Sequence, residues 1–587
     1  EVYEEFDIIN DPDGIAKFTD YNRDPLNGFE ALRPVRGTPP IDYGFSFLYG
    51  DRFEMTEEVD VGVIFALQQR SESRYKNMTV SKTADTSEND ATNNGFGGNY
   101  FVSEWGGRRE IGTFEGQFSG LAGFSINQND INEFSYNTLF TRTGQDEVVF
   151  NVGGLAWGSG GQNSTITFNE ADRNNDGIVD SNDVDGNGNA GLGQVSARGR
   201  DYYSISYNQR SMNAHLLSWS HASPNDSFFE TFNVSLMLSK NKQDEPFTFD
   251  TRGSYPPTLL SRYTEQDSTG FSADLGFRLF NSEDKTLRFK VGAYADSSDR
   301  SFIQRQKHYE TTTPFVNPNL IVQRSLIDDG ITGEADGERD ISAFYGMLDY
   351  EISKRAVVSA GVRRVKSAIS YDGFGKAPLS GEFAPEVVEL KPIDDTDWIN
   401  AFNLNINITD ELKFRGAISS TIARPTYREL QPFPILNMMT NEVEVGNSGY
   451  IGQVAGNFVN PVLEDQYADF RGLRIADVKN LDARLEYYSA SGGFLAAGFF
   501  KKKVGNPIER IEAFGQTATV PVFTFVNNEN EATINGIEIE WQQNIGDLIN
   551  VDYLGWLNIG GNYTKIDALV ERSVVETRNA QVVGIRV

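Results

Sequence analysis

The sequence predicts an all-β fold, a transmembrane antiparallel β-barrel, and three observations lead to this prediction. Apolar and polar residues alternate along many segments, which are joined by short turns at one end and by long loops at the other. Residues 402–408 alternate Phe, Leu and Ile with Asn, and after a two-residue turn the alternation resumes over 412–418. Beyond Arg424, about fifty residues pass before alternation resumes near Leu481. No segment approaches about eighteen consecutive apolar residues, so no membrane-spanning helix is predicted.

Composition agrees with a barrel and excludes other classes of protein. Only every second residue of a barrel strand faces lipid, so a hydrophobic fraction of 39% is compatible with membrane insertion. The absence of cysteine from this chain excludes disulfide scaffolds, cysteine–zinc sites and thiol nucleophiles within it. The formal net charge of −31 argues against a nucleic-acid partner, whose phosphates would be repelled. No grouping of residues predicts a catalytic site, so the protein is not expected to be an enzyme.

Sixteen strands can be assigned, in eight pairs that are each joined by a short turn. Loops of roughly 24 to 56 residues separate the pairs, and loops of this length are uncommon in compact soluble domains. A soluble β-sandwich with one wet face is the alternative, but it does not explain why the long loops all lie on one side. The predicted pairs are 42–54 with 60–74, 112–126 with 131–143, 200–221 with 229–241, 267–280 with 285–299, 338–352 with 355–370, 395–408 with 411–424, 478–488 with 494–504, and 531–546 with 552–566.

The direction of each strand follows from the loops, because short turns belong to the periplasmic side of such barrels and long loops to the outside. The first assigned strand then runs toward the periplasm. An outward-running strand is therefore expected in residues 1–41, an otherwise unassigned N-terminal segment, while residues 42–587 are predicted to form the barrel. The total of seventeen is odd, whereas a single-chain bacterial barrel closes with an even number. We therefore expect the sequence to be incomplete at its C-terminus and, since it lacks a signal peptide, incomplete or processed at its N-terminus.

Several segments of the chain resemble, in order, segments of a known family. In the second half these are TIARPTYREL (421–430), NLDARLEYY (480–488), GGFLAAGFFKK (492–502), NGIEIEWQQ (535–543) and GGNYT (560–564). They are similar to the later strands of TonB-dependent outer-membrane receptors. Arg210-Ser211, followed by Asp244-Glu245-Pro246, resembles an earlier hairpin of the same family.

This resemblance implies a barrel of about 22 strands when complete, with about 17 in this chain, in the outer membrane of a Gram-negative bacterium. It also implies an N-terminal plug inside the barrel and TonB-dependent import of a scarce nutrient, powered by the TonB–ExbB–ExbD complex. We expect the plug and the TonB box to precede residue 1, because an unplugged pore of this size would leak. Residues 1–41 then hold either the first strand or a remnant of the plug. A barrel that works with a separate plug is the alternative.

Other functions stay open at this point. The alternative to import is that the chain forms a passive pore, or a structural barrel within a larger outer-membrane assembly. The expected partners are outer-membrane lipid, the TonB–ExbB–ExbD complex through the missing N-terminal region, and, as a further candidate, a surface lipoprotein or another outer-membrane protein. No sequence pattern identifies the transported substrate or the residues that contact it.

One segment of a long outer loop, residues 172–189, predicts metal binding. Oxygen-bearing side chains occupy positions 1, 3, 5, 9 and 12 of a twelve-residue stretch, with Gly at position 6 and an apolar residue at position 8. This is the spacing of an EF-hand calcium loop, in which residue 7 contributes its carbonyl oxygen. Position 12 is Asp rather than the usual Glu. The alternative to a calcium site is a solvated turn rich in Asx and Gly. The predicted ligands of a structural Ca²⁺ are Asp172, Asn174, Asp176, Ile178, Asp180 and Asp183.

Replacing Asp176 by Ala is expected to loosen this loop and to leave the barrel intact, since strand pairing and lipid-facing side chains hold the barrel. Extracellular calcium modules commonly bind at about 10⁻⁴–10⁻³ M, so millimolar calcium should order the loop of the unsubstituted protein. Limited proteolysis with and without a chelator measures this ordering. Equal protection of residues 165–195 in both conditions would rule out calcium binding.

Overall fold

Sixteen strands form one antiparallel sheet, and each pairs with its neighbours in the order of the chain. A second, smaller sheet has four strands. The computed structural model of the chain describes residues 37–85, 101–152, 202–224, 227–250, 258–309, 326–375, 393–431, 435–437, 442–447, 472–514, 522–574 and 576–577.

The elements are numbered here in chain order. The large sheet contains β1 Tyr43–Thr56, β2 Val59–Asp85, β3 Phe101–Gln128, β4 Asn132–Val152, β5 Tyr202–Ala222, β6 Phe229–Asp250, β7 Thr258–Asn281, β8 Thr286–Tyr309, β9 Leu326–Ser353, β10 Ala356–Gly375, β11 Ile393–Asn407, β12 Leu412–Ala423, β15 Ala476–Tyr488, β16 Gly493–Gly505, β19 Ala532–Asn544 and β20 Asn558–Leu569. The small sheet contains β13 Ile435–Asn437, β14 Glu442–Glu444, β17 Ile508–Phe514 and β18 Val522–Asn527, in the spatial order β13-β14-β18-β17. The helices are α1 Tyr427–Leu430, α2 Ile545–Ile549 and a 3-10 helix, Asp552–Leu554.

All sixteen assigned strands are confirmed, together with their antiparallel pairing. The strands extend further toward the loops than predicted: β3 begins at Phe101 instead of residue 112, and β9 begins at Leu326 instead of residue 338. Beyond the lipid a strand no longer needs one apolar face, so the alternation that set the predicted bounds ends before the hydrogen bonding does. The additional strand expected in residues 1–41 lies outside the described residues, apart from 37–41, which are not strand.

The last predicted strand, 552–566, begins too early in the sequence. Its first residues belong to a folded turn that contains α2 and the 3-10 helix, and β20 starts only at Asn558. The apolar residues Leu554 and Trp556 within this turn imitate the alternation of a strand. Periodicity alone does not separate such a short apolar turn from a strand.

The two faces of the large sheet differ as the alternation predicts. Leu485, Ala497, Ile539 and Tyr563 lie in register across β15, β16, β19 and β20. Their apolar side chains point away from the barrel interior, and all are exposed on what we call the lipid face. The intervening positions of β15 and β19 carry mainly acidic, basic and amide side chains, whereas those of β16 are mostly aromatic or small, and together they form the inner wall. No helix among the residues described is long and apolar enough to cross a membrane.

Short polar turns close most of the hairpins at the periplasmic end. Between β3 and β4, Asn129 and Asp130 adopt left-handed φ angles of 54° and 56°, which these residue types tolerate better than most. Between β11 and β12, the Thr409 hydroxyl oxygen accepts hydrogen bonds from the backbone N–H groups of Glu411 at 3.2 Å and Leu412 at 3.0 Å. These local bonds satisfy the backbone where the sheet ladder stops.

A hydrophobic cluster, called here the mouth cluster, lies where the strands reach the outer loops. Tyr427 of α1 packs against Tyr371 of β10, with ring centroids 5.2 Å apart. Both rings cover Gly337 of β9, where a Cβ atom would lie only 2.5 Å from the Tyr427 ring. Gly337 faces the inner wall, so α1 folds into the barrel mouth. The buried members of the mouth cluster are Phe302, Ala335, Ile369, Tyr371, Ile393, Tyr427, Leu430, Leu473 and Phe525.

Replacing Ile539 by Lys on the lipid face is expected to lower the free energy of unfolding by about 2–4 kcal/mol, the usual cost of a lysine near the bilayer midplane. Replacing the neighbouring Glu538, which faces the inner wall, by Lys is the matched control and should have a much smaller effect. Urea unfolding of the protein in lipid vesicles measures both changes. Equal losses in the two variants would contradict the assigned faces.

Candidate functional site

An ion-pair network crosses the inner wall on β12, β15 and β19. Glu486 accepts hydrogen bonds from Arg415 Nε and from Arg484 Nε, each at 3.1 Å, and also from the Tyr488 hydroxyl at 3.1 Å. Arg484 reaches further, to Glu540 at 2.8 Å. Glu486 is buried, at 6% exposure, so its charge depends on these partners, because an unpaired buried carboxylate is strongly disfavoured.

The same wall borders an open cavity of about 420 Å³. Amide side chains from β11 join charged ones from β12, β15 and β19 around it, so donors and acceptors alternate along its surface. Such a surface holds water and offers hydrogen bonds to a polar solute or to a polar polypeptide. The polar lining residues are Ser359, Asn403, Asn405, Arg415, Asp482, Arg484 and Glu538.

Strands β3 to β7 carry pairs of hydroxyl groups on the inner wall. Ser119 of β3 and Thr141 of β4 are hydrogen-bonded at 3.0 Å. Ser135 of β4 bonds Ser218 of β5 at 2.6 Å, and Ser235 of β6 continues the pattern with Ser272 of β7 at 2.7 Å. The inner wall thus offers hydroxyl pairs on β3 to β7 in addition to ion pairs. Ion pairs are found on β12 to β19 and also next to the hydroxyl pairs, where Glu230 accepts from Arg278 at 2.7 Å.

Arginine and tyrosine side chains lie together on the inner wall near the mouth, and we call them the arginine–tyrosine wall. The Arg363 guanidinium lies 5.3 Å from the centre of the Tyr294 ring. The Arg300 guanidinium lies at the same distance, 5.3 Å, from the Tyr427 ring. Cation–π contacts of this kind stabilise a partly buried guanidinium without a counter-ion. The set comprises Tyr294, Arg300, Arg339, Arg363, Arg424 and Tyr427.

Two of these arginines have polar partners. Arg339 donates to Asp296 at 3.1 Å, and Arg424, immediately after β12, donates to the Ser367 hydroxyl at 2.8 Å. Burial lowers the pKa of Arg424 from its ordinary value, and the positive charge of Arg339 adds to this effect. A guanidinium is nonetheless charged at any physiological pH, so the wall keeps positive charge near Arg424 and Arg339. Such groups bind carboxylates or phosphates in a bidentate manner.

Two ion pairs meet at Glu444 of β14: one attaches α1 to the small sheet, and the other links β14 to β17 within that sheet. Arg428 donates to both carboxylate oxygens of Glu444, at 2.6 and 3.0 Å. Arg510 donates to the same carboxylate at 2.9 Å, and its guanidinium lies 3.7 Å from the centre of the Phe523 ring. The hydrogen bond that Arg428 donates to Glu444 raises the pKa of Arg428, and burial raises the pKa of Tyr427. Charge pairing and burial therefore fix the position of α1 over the inner wall.

The sequence contained one signal for α1 that the predictions did not use. Thr426 and Glu429 form a capping box: the Glu429 carboxylate accepts from the Thr426 N–H at 2.6 Å, and Thr426 Oγ1 accepts from the Glu429 N–H at 3.4 Å. The spacing Thr-x-x-Glu is the usual sign of such a helix start. By contrast, the pairing of β14 with β18 joins residues far apart in sequence, which no local pattern reveals.

The predicted calcium ligands, Asp172, Asn174, Asp176, Ile178, Asp180 and Asp183, lie outside the described residues. Within the described ranges, no group of three or more histidine, aspartate or glutamate side chains is arranged to hold a metal ion. The calcium site therefore remains a prediction from the sequence.

Comparison with known proteins identifies one family and several similar folds. The family model described as "TonB dependent receptor-like, beta-barrel" matches residues 150–587. No curated protein sequence matches the chain.

Among solved structures, the unliganded ferric citrate transporter FecA has a TM-score of 0.46 and 10% identity, and the alignment covers 91% of this chain and 61% of FecA. The ferric yersiniabactin receptor FyuA from Yersinia pestis has a TM-score of 0.42 and 12% identity, over 90% of this chain and 61% of FyuA. P. aeruginosa FpvA bound to heterologous pyoverdines has a TM-score of 0.46 and 11% identity, over 90% of this chain and 54% of FpvA. The chain therefore spans less than two thirds of the length of each of these proteins.

Replacing Glu486 by Ala is expected to lower the free energy of unfolding by about 1–3 kcal/mol, because Arg415 and Arg484 lose their shared acceptor. Replacing Glu540 by Ala is the control. Among the described residues, its half-exposed side chain bonds only Arg484, so its loss should cost less than about 1 kcal/mol. Urea unfolding in vesicles compares the two variants. A Glu540 variant as unstable as the Glu486 variant would show that burial does not set the strength of the network.

Proposed function

This chain belongs to the TonB-dependent receptors and forms the β-barrel of such a protein in the outer membrane of a Gram-negative bacterium, and we propose that the protein imports a scarce nutrient across that membrane. The single observation that carries this proposal is the family match, which extends over residues 150–587. The polar inner wall supports it, because ion pairs, amides and hydroxyl groups keep the interior hydrated.

The energy for this import comes, in our proposal, from the TonB–ExbB–ExbD complex acting on an N-terminal plug. A plug inside the barrel would rest on an inner wall of both charge signs. On β12, β15 and β19 that wall offers the network centred on Glu486. A plug with a polar surface can replace water there and retain hydrogen bonds, which permits it to move without exposing an apolar core.

The solute, in the same proposal, enters past the arginine–tyrosine wall. α1 and the mouth cluster narrow the opening on the side of β8 to β11, so a solute passes close to Arg363 and Tyr294. Guanidinium groups donate hydrogen bonds in a planar fork, and tyrosine rings offer flat apolar surfaces. These groups suit a class of solute that combines oxygen-rich and planar parts.

We retain the calcium site as a separate proposal for the outer loop. Its support is the spacing of Asp172, Asp176 and Asp183 in the sequence alone. A bound cation would offset the mutual repulsion of these carboxylates.

Reconstituted full-length protein in a planar bilayer is expected to be almost non-conducting, because a plugged barrel leaves no continuous water path. A passive pore of this size would instead pass a large ionic current. Measuring conductance before and after partial denaturation by urea separates the two functions, since urea should open a plugged barrel reversibly. A steady large current without urea would contradict the import mechanism and favour a pore.

Energised uptake is the second test of the proposed function. Cells that carry the gene, grown with candidate nutrients, should lose uptake when TonB is inactivated while the amount of barrel in the outer membrane stays unchanged. A matched strain that lacks the gene gives the background. Uptake that survives the loss of TonB would exclude the proposed energy source.

A further inference from the structure

The turn between β19 and β20, residues 545–557, differs from the other periplasmic turns among the described residues. Those turns are short and mainly polar, as in Ser282-Glu283-Asp284-Lys285 between β7 and β8 and Lys354-Arg355 between β9 and β10. The β19–β20 turn is longer, and it contains α2 and the 3-10 helix. Most of its residues are apolar or aromatic, and its only charged residues are Asp547 and Asp552.

The apolar side chains of this turn are largely uncovered. Tyr553 is 83% exposed and Trp556 is 71% exposed. Leu548 and Ile549 are each more than half exposed, and Val551 is exposed to 40%. A contiguous apolar group of this size on a water-facing turn marks a contact surface, because single exposed apolar residues are ordinary but clusters are not.

The turn nevertheless has a defined backbone conformation. Asn544 caps α2 by accepting from the Asp547 N–H at 3.0 Å, and its side-chain amide donates to the Gly555 carbonyl at 2.8 Å. Val551 N–H donates to the Gly546 carbonyl at 2.8 Å, and Asn550 takes the left-handed conformation that ends α2. These bonds hold the apolar side chains on one compact unit, so their exposure does not come from a lack of folding.

Along the chain, the apolar surface of the turn adjoins the lipid face of the two strands that it joins. Trp541 lies on the lipid face near the end of β19, at 44% exposure. Ile559 and Tyr563 lie on the lipid face of β20, at 44% and 57%. The turn occupies the chain between these positions, at the periplasmic edge of the lipid-facing surface.

We propose that residues 545–557 form an interfacial foot, which lies in the headgroup region of the inner leaflet and places Leu548, Tyr553 and Trp556 against phospholipid acyl chains. A short amphipathic segment with aromatic and leucine side chains on its apolar side favours this position. Tyrosine and tryptophan prefer the membrane–water interface, since each joins an apolar ring to a polar group. The occupant of the surface is therefore phospholipid, continuous with the lipid already in contact with β19 and β20.

The foot goes beyond the proposed import function and does not depend on it. A periplasmic protein or the plug would also bury an apolar surface, but neither accounts for its position next to the lipid face along the chain. The foot also predicts that, in purified protein reconstituted in lipid, the turn is in contact with lipid although no partner protein is present.

Single-cysteine spin labelling tests the foot directly, because this chain has no cysteine of its own. In full-length protein, with any cysteine outside these residues replaced by serine, nitroxide labels are placed by Trp556→Cys and Tyr553→Cys. Glu283→Cys, in a polar periplasmic turn, is the water-exposed control, and Tyr563→Cys is the lipid-exposed control. Leu548→Cys serves as an independent site if a variant at 553 or 556 does not fold.

The measurement is the ratio of collision rates with oxygen, which concentrates in lipid, and with a neutral nickel chelate, which stays in water. It is made in proteoliposomes of phosphatidylethanolamine and phosphatidylglycerol. We expect the ratio at residues 553 and 556 to be several-fold higher than at residue 283 and closer to that at residue 563. A ratio equal to that at residue 283 would overturn the foot and leave the surface for a periplasmic protein. Low collision rates with both reagents would also overturn it and show that another part of the protein covers the turn.

Discussion

The constraint on which this structure depends is that backbone N–H and C=O groups in a bilayer must be paired within the protein, since lipid offers no hydrogen bonds and each unpaired group costs several kcal/mol. A strand cannot satisfy its own backbone, so each one needs two neighbours. Pairing in chain order provides them through short turns, and β1 to β12, followed by β15, β16, β19 and β20, show this order without interruption. The second sheet departs from that order, and it lies among the outer loops.

The same pairing assigns a separate role to each face and each end of the sheet. Because side chains alternate, one face meets lipid and the other forms an inner wall that carries hydroxyl pairs on β3 to β7 and ion pairs around Glu486. At the outer end, α1 folds inward and is fixed by Arg428 and Glu444. Outside the bilayer, water again competes for hydrogen bonds, so irregular loops and a small mixed sheet become possible. The barrel thus has a repetitive pattern of strand pairing within the bilayer and individual side-chain contacts at its two ends.

The sequence was sufficient for the repetitive part, because lipid on one face and water on the other impose a period of two that is readable residue by residue. All sixteen assigned strands followed from that period. The mouth was not predictable in the same way: Tyr427 packs against Tyr371 in a cluster that also contains Phe525, and β14 pairs with β18 across some eighty residues. The prediction assigned part of the turn at 545–557 to a strand. Leu554 and Trp556 are apolar there, but they do not belong to a strand. The alternation predicted charged side chains on the inner wall, but it did not predict which of them pair with each other.

One end of the sheet carries the periplasmic turns, and the other end carries the extracellular loops. A membrane-impermeant maleimide too large for diffusion pores tests this arrangement on single-cysteine variants of intact cells. Glu529→Cys, in the loop between β18 and β19, should react in intact cells. Asp410→Cys, in the turn between β11 and β12, should react only after the outer membrane is permeabilised. Reaction of Asp410→Cys in intact cells, with Glu529→Cys protected, would reverse the orientation and contradict the account.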